Sequence, residues 1–373
     1  MQATKEQLDH ANNIIKNGTD EERLAFFAFD KGNSKKVIHF KFIVWAHTCY
    51  PRYFQSVPAE FHEQIIDHMI DAYYGRIKYT NLGFRGCAKT TWTKLWVAYV
   101  ILNDMDHTRK YMKVLTRNVG NAKQLVTDVY NLIVEVKDFY GDIFQKDGDK
   151  KREETMGSFT TVDGVKLLSG TVGMTQRGHL QDASRPDFIM FDDVEDRESI
   201  QSLATTEATI WRIDEAIAGL SAEGSYMCNG NYISEEGVIQ WFLNKPDMVV
   251  DKITIMDEDG NPTWPARYDK EKIDSIKNDA DDFYGEYMCL KPDTMILTKG
   301  GLVPINTVTV GDKVITHKGR EQEVLKVMRN QGDDMLDITV DGVTVTITKN
   351  HPVLTDMGWL PAGELSTGVY CFK

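Results

Sequence analysis

Apolar positions follow one rhythm up to about residue 288 and another beyond it. In the first part, short apolar runs alternate with longer stretches at helical spacing. Thr19-Asp20-Glu21-Glu22 ahead of Leu24, Phe26 and Phe27 is a capping box that opens an amphipathic helix. The strongly apolar stretch 38–45 follows, then a turn-rich joint at 51–58. Apolar residues over 61–70 recur at helical spacing; they read first as a packing face, and secondly as a way to bring Tyr53, Phe54 or His62 near a nucleotide base. Strands are predicted over 77–82, 111–116, 188–191 and 225–232. Helices are predicted over 92–100, over 121–136 with Leu125, Val129, Leu132 and Ile133 on one face, and over 199–220 with Trp211 and Ile213 inward. A turn at 261–268 leads to a polar helix. Strand–helix alternation of this kind predicts a mainly parallel sheet flanked by helices, with right-handed crossovers. From Cys289 the chain turns β-branched and glycine-punctuated, with strands predicted over 294–298, 313–316, 323–328, 335–340 and 344–348. The expected order is a helical lead-in over 1–60, an α/β domain over 61–288 and a small all-β domain over 289–373.

Between the strand at 77–82 and the helix at 92–100 lies Gly83-Phe84-Arg85-Gly86-Cys87-Ala88-Lys89-Thr90-Thr91. Strand, glycine-bearing loop, Lys-Thr and helix is the layout of a phosphate-binding P-loop. Backbone N–H groups must turn inward around a polyphosphate, and the helix start must face it. Lys89 would reach the β/γ oxygens of ATP, and the Thr90 hydroxyl would take one position on Mg²⁺. The usual pattern has Gly directly before Lys, where this chain has Ala88.

A P-loop needs a distant carboxylate for the metal. The strand at 188–191 runs into Asp192-Asp193-Val194-Glu195-Asp196. Alone this reads as a solvated acidic turn; about a hundred residues after a Lys-Thr loop it reads as a metal site. Asp192 is the expected Mg²⁺ partner. Asp193 and Glu195 compete to orient the attacking water. Arg85 in the loop and Arg177 in the glycine-rich segment 170–179 compete to meet charge on the phosphoryl group. A polar residue at the Gly-Asn tip of 225–232 would sense the γ-phosphate.

Composition narrows the partners. The net charge is −13, which argues against coating nucleic acid by charge alone. The last 85 residues hold nine basic and ten acidic side chains, so nearly all of the acid excess belongs to the first part. Five scattered cysteines lack metal-ligand spacing and point to a reducing compartment. Neither a membrane span nor a signal peptide is expected.

Arg-Gly-x-Ala-Lys-Thr, Arg-Pro-Asp-Phe-Ile-Met-Phe-Asp-Asp-Val-Glu-Asp, Gly-Asn and Trp-Pro-Ala-Arg-Tyr occur in that order over about residues 20–288. This series resembles the large terminase subunit of tailed bacteriophages, a P-loop NTPase. The resemblance implies a DNA-packaging ATPase in the cytoplasm of an infected bacterium. Its partners would be double-stranded DNA, a portal, a small terminase subunit and further copies of itself in a ring. The family tolerates Ala before the P-loop lysine. Many terminases have Asp-Glu where this chain has Asp192-Asp193, and the nuclease domain that follows in the family is not expected within these residues. A helicase-like P-loop ATPase is the alternative.

Cys289-Leu-Lys-Pro-Asp-Thr-Met-Ile-Leu, Val310-Gly311-Asp312 and Thr348-Lys349-Asn350-His351-Pro352-Val353 resemble the amino-terminal half of an intein, with the Hedgehog/intein (HINT) β-fold. Cys289 would attack the Met288 carbonyl to form a thioester. Thr348 and His351 would strain and activate the amide, with His351 protonating the leaving nitrogen. No cofactor is needed for this. The terminal His-Asn of a complete intein is not present, so the resemblance implies a split intein whose other half sits on the polypeptide bearing the nuclease. An inert HINT remnant on a truncated terminase is the alternative.

Overall fold

The computed structural model describes residues 5–144, 157–173, 185–195, 203–231, 237–257 and 261–279, then 295–315, 320–324, 327, 335–340, 343–348, 352–355 and 358–365. The chain divides into two compact units, Met1–Ile273 and Asp274–Lys373.

Three helices open the first unit: α1 (Lys5–Asn17), α2 (Asp20–Phe27) and α3 (Lys35–Cys49). The capping box forms at α2, where Thr19 Oγ1 accepts from the Glu22 N–H at 3.2 Å and Glu22 Oε2 accepts from the Thr19 N–H at 2.8 Å. A 3₁₀ turn at Pro51–Phe54 precedes α4 (Glu60–Tyr73). Then β1 (Lys78–Gly83) feeds α5 (Lys89–Asn103), and β2 (Tyr111–Thr116) feeds α6 (Val119–Glu135), followed by α7 (Lys137–Tyr140). The remainder runs β3 (Ser158–Thr160), β4 (Lys166–Thr171), β5 (Phe188–Asp192), α8 (Leu203–Ala218), β6 (Ser225–Gly230), α9 (Val238–Leu243), β7 (Met248–Ile253) and α10 (Lys270–Asp279). The division between the units falls within α10, ahead of the Cys289 boundary expected from the sequence.

The seven strands lie in the order β3-β4-β2-β5-β6-β1-β7, and every pair is parallel except β3–β4. Side chains alternate between two apolar layers, as the two-residue period of a strand requires. Met112, Val114, Phe188, Met190 and Met227 join the core shared with α3 to α6. Leu115, Ile189, Phe191, Tyr226 and Cys228 join the core shared with α8 and α9. Both faces are thereby covered, as a parallel sheet with helical crossovers demands. Aromatic rings lock α3 to α5, with Phe42–Trp96 at 5.3 Å and Trp45–Tyr99 at 5.1 Å between centroids. The first helices thus bury their apolar sides in the same core as the sheet.

Trp211 departs from the sequence reading. It is 54% exposed, whereas Ile213 is fully buried. The inward stripe of α8 is Ile210, Ile213, Ala216 and Ile217. Trp211 follows Ile210 by one residue, about 100° around the helix, and so points off that stripe. The glycine-rich segment also starts as strand, since β4 includes Gly170 and Thr171.

In the second unit, β8 (Met295–Thr298), β9 (Gly301–Pro304), β10 (Lys313–Ile315) and β11 (Glu321–Glu323) form an antiparallel sheet in the order β11-β10-β8-β9. Two hairpins follow, β12 (Met335–Val340) with β13 (Val343–Thr348), and β14 (Pro352–Thr355) with β15 (Gly358–Pro361). Of the strand expected over 323–328, only Glu323 is in a strand among the described residues. No helix among the described residues is long and apolar enough to cross a membrane.

Candidate functional site

Parallel pairing brings the carboxyl ends of β1, β6 and β5 to one edge of the sheet. There Gly83 ends β1, Gly230 ends β6 and Asp192 ends β5, with Leu82 opposite Gly230 and Asn229 opposite Asp192. The loop after β1 turns through two left-handed residues, Gly86 (φ +92°) and Ala88 (φ +68°), and Ala88 then starts α5. Such a turn aims successive backbone N–H groups into a concavity suited to an anion. A residue with a Cβ in that region costs roughly 1–2 kcal/mol, which is why glycine is the usual occupant before the lysine. At Gly83 a Cβ would come within 2.2 Å of Cys87 Sγ.

Lys89 is 7% exposed. Its Nζ donates to Gly83 O at 3.2 Å and to Asn231 Oδ1 at 2.8 Å. The Thr90 hydroxyl lies 3.3 and 3.4 Å from the two carboxylate oxygens of Asp192. Asn229 Nδ2 donates to Asp192 Oδ1 at 3.0 Å and to Thr93 Oγ1 at 2.9 Å, fixing the carboxylate from the side. Burial, then the neighbouring Asp193 charge, pushes the Asp192 carboxyl up to about 6, against the pull of Asn229, Lys89 and Thr90. A hydroxyl beside a single carboxylate is a hard-oxygen pair that fits Mg²⁺, a cation that keeps several waters and shares substrate phosphate oxygens.

The structure separates the two carboxylates that compete in the sequence. Asp193 is exposed, with a left-handed backbone (φ +46°), beside Asp192. Glu195 is buried, and its Oε2 accepts from the Val238 N–H at 2.5 Å and the Ile239 N–H at 3.3 Å, capping α9. Arg85 is exposed on the loop, with no hydrogen bond or ion pair among the described residues. Arg177, Cys289 and His351 lie outside the described residues. The backbone of Thr348 closes β13 opposite Met335.

Beside the first turn of α5 is a cavity of about 600 Å³. Ala88, Thr91, Trp92 and Leu95 line it from α5 and the turn before it, and Tyr53, Phe54 and His62 line it as well. His62 also supports the loop. Its Nδ1 accepts from the Ala59 N–H at 2.8 Å, so Nε2 carries the proton and donates to Cys87 O at 3.0 Å. Burial lowers its pKa to about 4. From the other side, the Tyr268 hydroxyl donates to Gly86 O at 3.3 Å. Asn229, the cap role of Glu195 and the Tyr268 contact were not foreseen. The Asn-Gly-Asn tip of β6 was the one signal for Asn229; the other two depend on chain separations of 43 and 182 residues.

Two outcomes test this geometry. Ala88→Gly relieves backbone strain against a larger unfolded-state entropy, and a net gain of roughly 0.5–1 kcal/mol is expected by urea denaturation. Unfolded His62 takes its proton near 6.5 and folded His62 only near 4. The unfolded chain therefore binds more protons in that window, and stability falls as pH drops from 6.5 toward 4, by on the order of 3 kcal/mol at most. His62→Gln should flatten that part of a denaturation-against-pH profile.

Comparison with known proteins places a Hint domain match at residues 288–356. Over 68 residues, 18% of this chain, the sequence is 37% identical to the ATP-dependent DNA helicase Hel308 of Thermococcus kodakarensis, and the match spans only 6% of that protein. The gp41-1 intein structure aligns at 27% identity over 22% of this chain and 65% of its own, with a TM-score of 0.21. The large terminase ATPase domain of Thermus phage P74-26 aligns at 10% identity over 55% of this chain and 84% of its own, with a TM-score of 0.37. The chain thus joins an α/β unit with a mainly parallel sheet to a segment, residues 288–356, that matches the Hint domain family.

Proposed function

We propose that residues 1–288 are the ATP-hydrolysing part of a DNA-packaging motor of the terminase large-subunit kind. Residues 289–373 are then the amino-terminal half of a split intein that joins this part to a nuclease part on a second polypeptide. The observation that carries the first half is the gathering of Lys89, Thr90 and Asp192 at one sheet edge, beside a cavity of nucleoside size.

Lys89 exchanges Asn231 for the β/γ oxygens of ATP, so β6 senses whether the triphosphate is present. Thr90 and Asp192 would hold Mg²⁺, which would supply positive charge against the phosphoryl group. Asp193, exposed beside them, orients the attacking water and draws off its proton. Glu195 is already engaged at the start of α9. Arg85, exposed on the loop, is one candidate to meet phosphoryl charge from this chain or a neighbouring copy, with Arg177 as the competitor. The order of sequence motifs supports the terminase kind over a helicase-like ATPase. Double-stranded DNA, portal and small subunit are the partners this reading implies.

The intein half is supported by the Hint match, which spans Cys289, Thr348 and His351. The Cys289 thiolate adds to the Met288 carbonyl, and the Cys289 nitrogen leaves as an amine protonated by His351, leaving a thioester. The side chain of the partner's first extein residue then takes the acyl group and frees the Cys289 thiol, and cyclisation of the partner intein's terminal Asn breaks the peptide bond before that residue and releases the ligated motor.

Lys89→Ala is expected to lower phosphate release by on the order of 10²–10³, and Asp193→Asn by on the order of 10²–10⁴. Glu195→Ala should instead mainly cost stability, about 1–2 kcal/mol through the lost cap. Phosphate release that survives Lys89→Ala would end the ATPase reading, and a Glu195→Ala enzyme that is stable but inactive would reverse the carboxylate assignment. For splicing, intact mass spectrometry after mixing with lysate from infected cells should find residues 1–288 joined to new sequence. Cys289→Ala should give no such product; ligation without that thiol would remove the assigned nucleophile.

A further inference from the structure

The cavity beside α5 has three cationic side chains in its wall: Arg52, Arg267 and Lys272. Arg52 is already engaged, since both of its terminal nitrogens donate to the Glu135 carboxylate. Arg267 and Lys272 have no ion pair among the described residues. Arg267 is also held in place. Its guanidinium carbon lies 5.1 Å from the Trp264 ring centroid and 5.7 Å from that of Tyr268. Lys272 Nζ donates to Arg267 O at 3.2 Å.

This arm is anchored at two points on the site. Trp264 Nε1 donates to Val57 O at 2.7 Å, in the joint before α4, and its ring lies 4.5 Å from that of His62. At the other end Tyr268 donates to Gly86 O in the phosphate loop. A Cβ on Gly86 would come within 2.2 Å of the Tyr268 oxygen, so the loop and the arm are in direct contact. The cation is therefore mounted on a segment that touches the loop.

We propose that Arg267 binds the nucleobase: its planar guanidinium, backed by Trp264, forms one face of a stack that a purine completes. A planar cation stacks on an aromatic face in a way a lysine ammonium does not. Phosphates in the loop would fall to Lys89 and the backbone N–H groups, and the nucleoside of a loop-bound nucleotide would extend into the cavity lined by Ala88, Thr91, Trp92 and Leu95. This inference rests on the nucleotide-hydrolase reading and names a base-binding residue within it, supplied by the segment that closes the first unit.

The test is calorimetric titration of the full chain with Mg-ADP and with Mg-tripolyphosphate, which offers phosphate and no base. Arg267→Ala should weaken ADP binding about tenfold, a loss in the range of a desolvated cation–π contact, and leave tripolyphosphate binding unchanged. That unchanged binding also shows that the variant is folded. Arg267→Lys should recover little, because charge is kept and the plane is lost. Equal weakening of both probes, or full rescue by lysine, would overturn the inference and leave the P-loop reading standing, as would unchanged ADP binding. A wild-type chain that bound neither probe would remove both.

Discussion

Parallel pairing of β1, β6 and β5 is the constraint on which the first unit depends. Parallel strands put all their carboxyl ends at one edge, and only there can a loop after β1 meet a carboxylate at the end of β5. The intervening β6 is part of the device rather than a spacer. Its Asn229 holds Asp192 and Thr93 while Asn231, just past its end, holds Lys89, so one strand tip touches both the Asp192 carboxylate and the loop lysine.

The loop itself stores strain. Ala88 sits in a backbone region that a Cβ disfavours, and Gly86 is turned the same way. Such a conformation persists only where surrounding contacts over-determine it. Here His62 grips Cys87 O from α4, Tyr268 grips Gly86 O from the end of the unit, and the Phe84 N–H is tied to Ile253 O on β7. Three distant parts of the chain hold a turn of six residues.

The two units rest on different bonding patterns. The first pairs strands distant in sequence and buries both sheet faces under helices. The second is built from antiparallel neighbours, including two hairpins whose strands adjoin in sequence. Local pairing costs little loop-closure entropy. A small β-domain of that kind suits a segment that must fold, act on its own amino-terminal peptide bond and leave, as the proposed splicing requires.

Local pattern determined most of the elements and marked the candidate site residues at their ends. The apolar runs marked β2, β5 and β6; the Thr19 to Glu22 spacing marked α2; Lys89, Thr90 and Asp192 were legible because strand ends and helix starts announce themselves within a few residues. The shift in pattern beyond about residue 288 marked a second, β-rich kind of segment, and residues 288–356 match the Hint domain family. Tertiary structure alone decided that β6 lies between β1 and β5, that Trp211 points out while Ile213 points in, and that Glu195 caps α9 while Asp193 stays exposed. It also decided that residues near 53, 92 and 267 share one cavity wall. Hydrophobic period and capping signals act over one or two turns of chain, whereas these outcomes depend on which distant surfaces exclude water together, and no local window contains both surfaces.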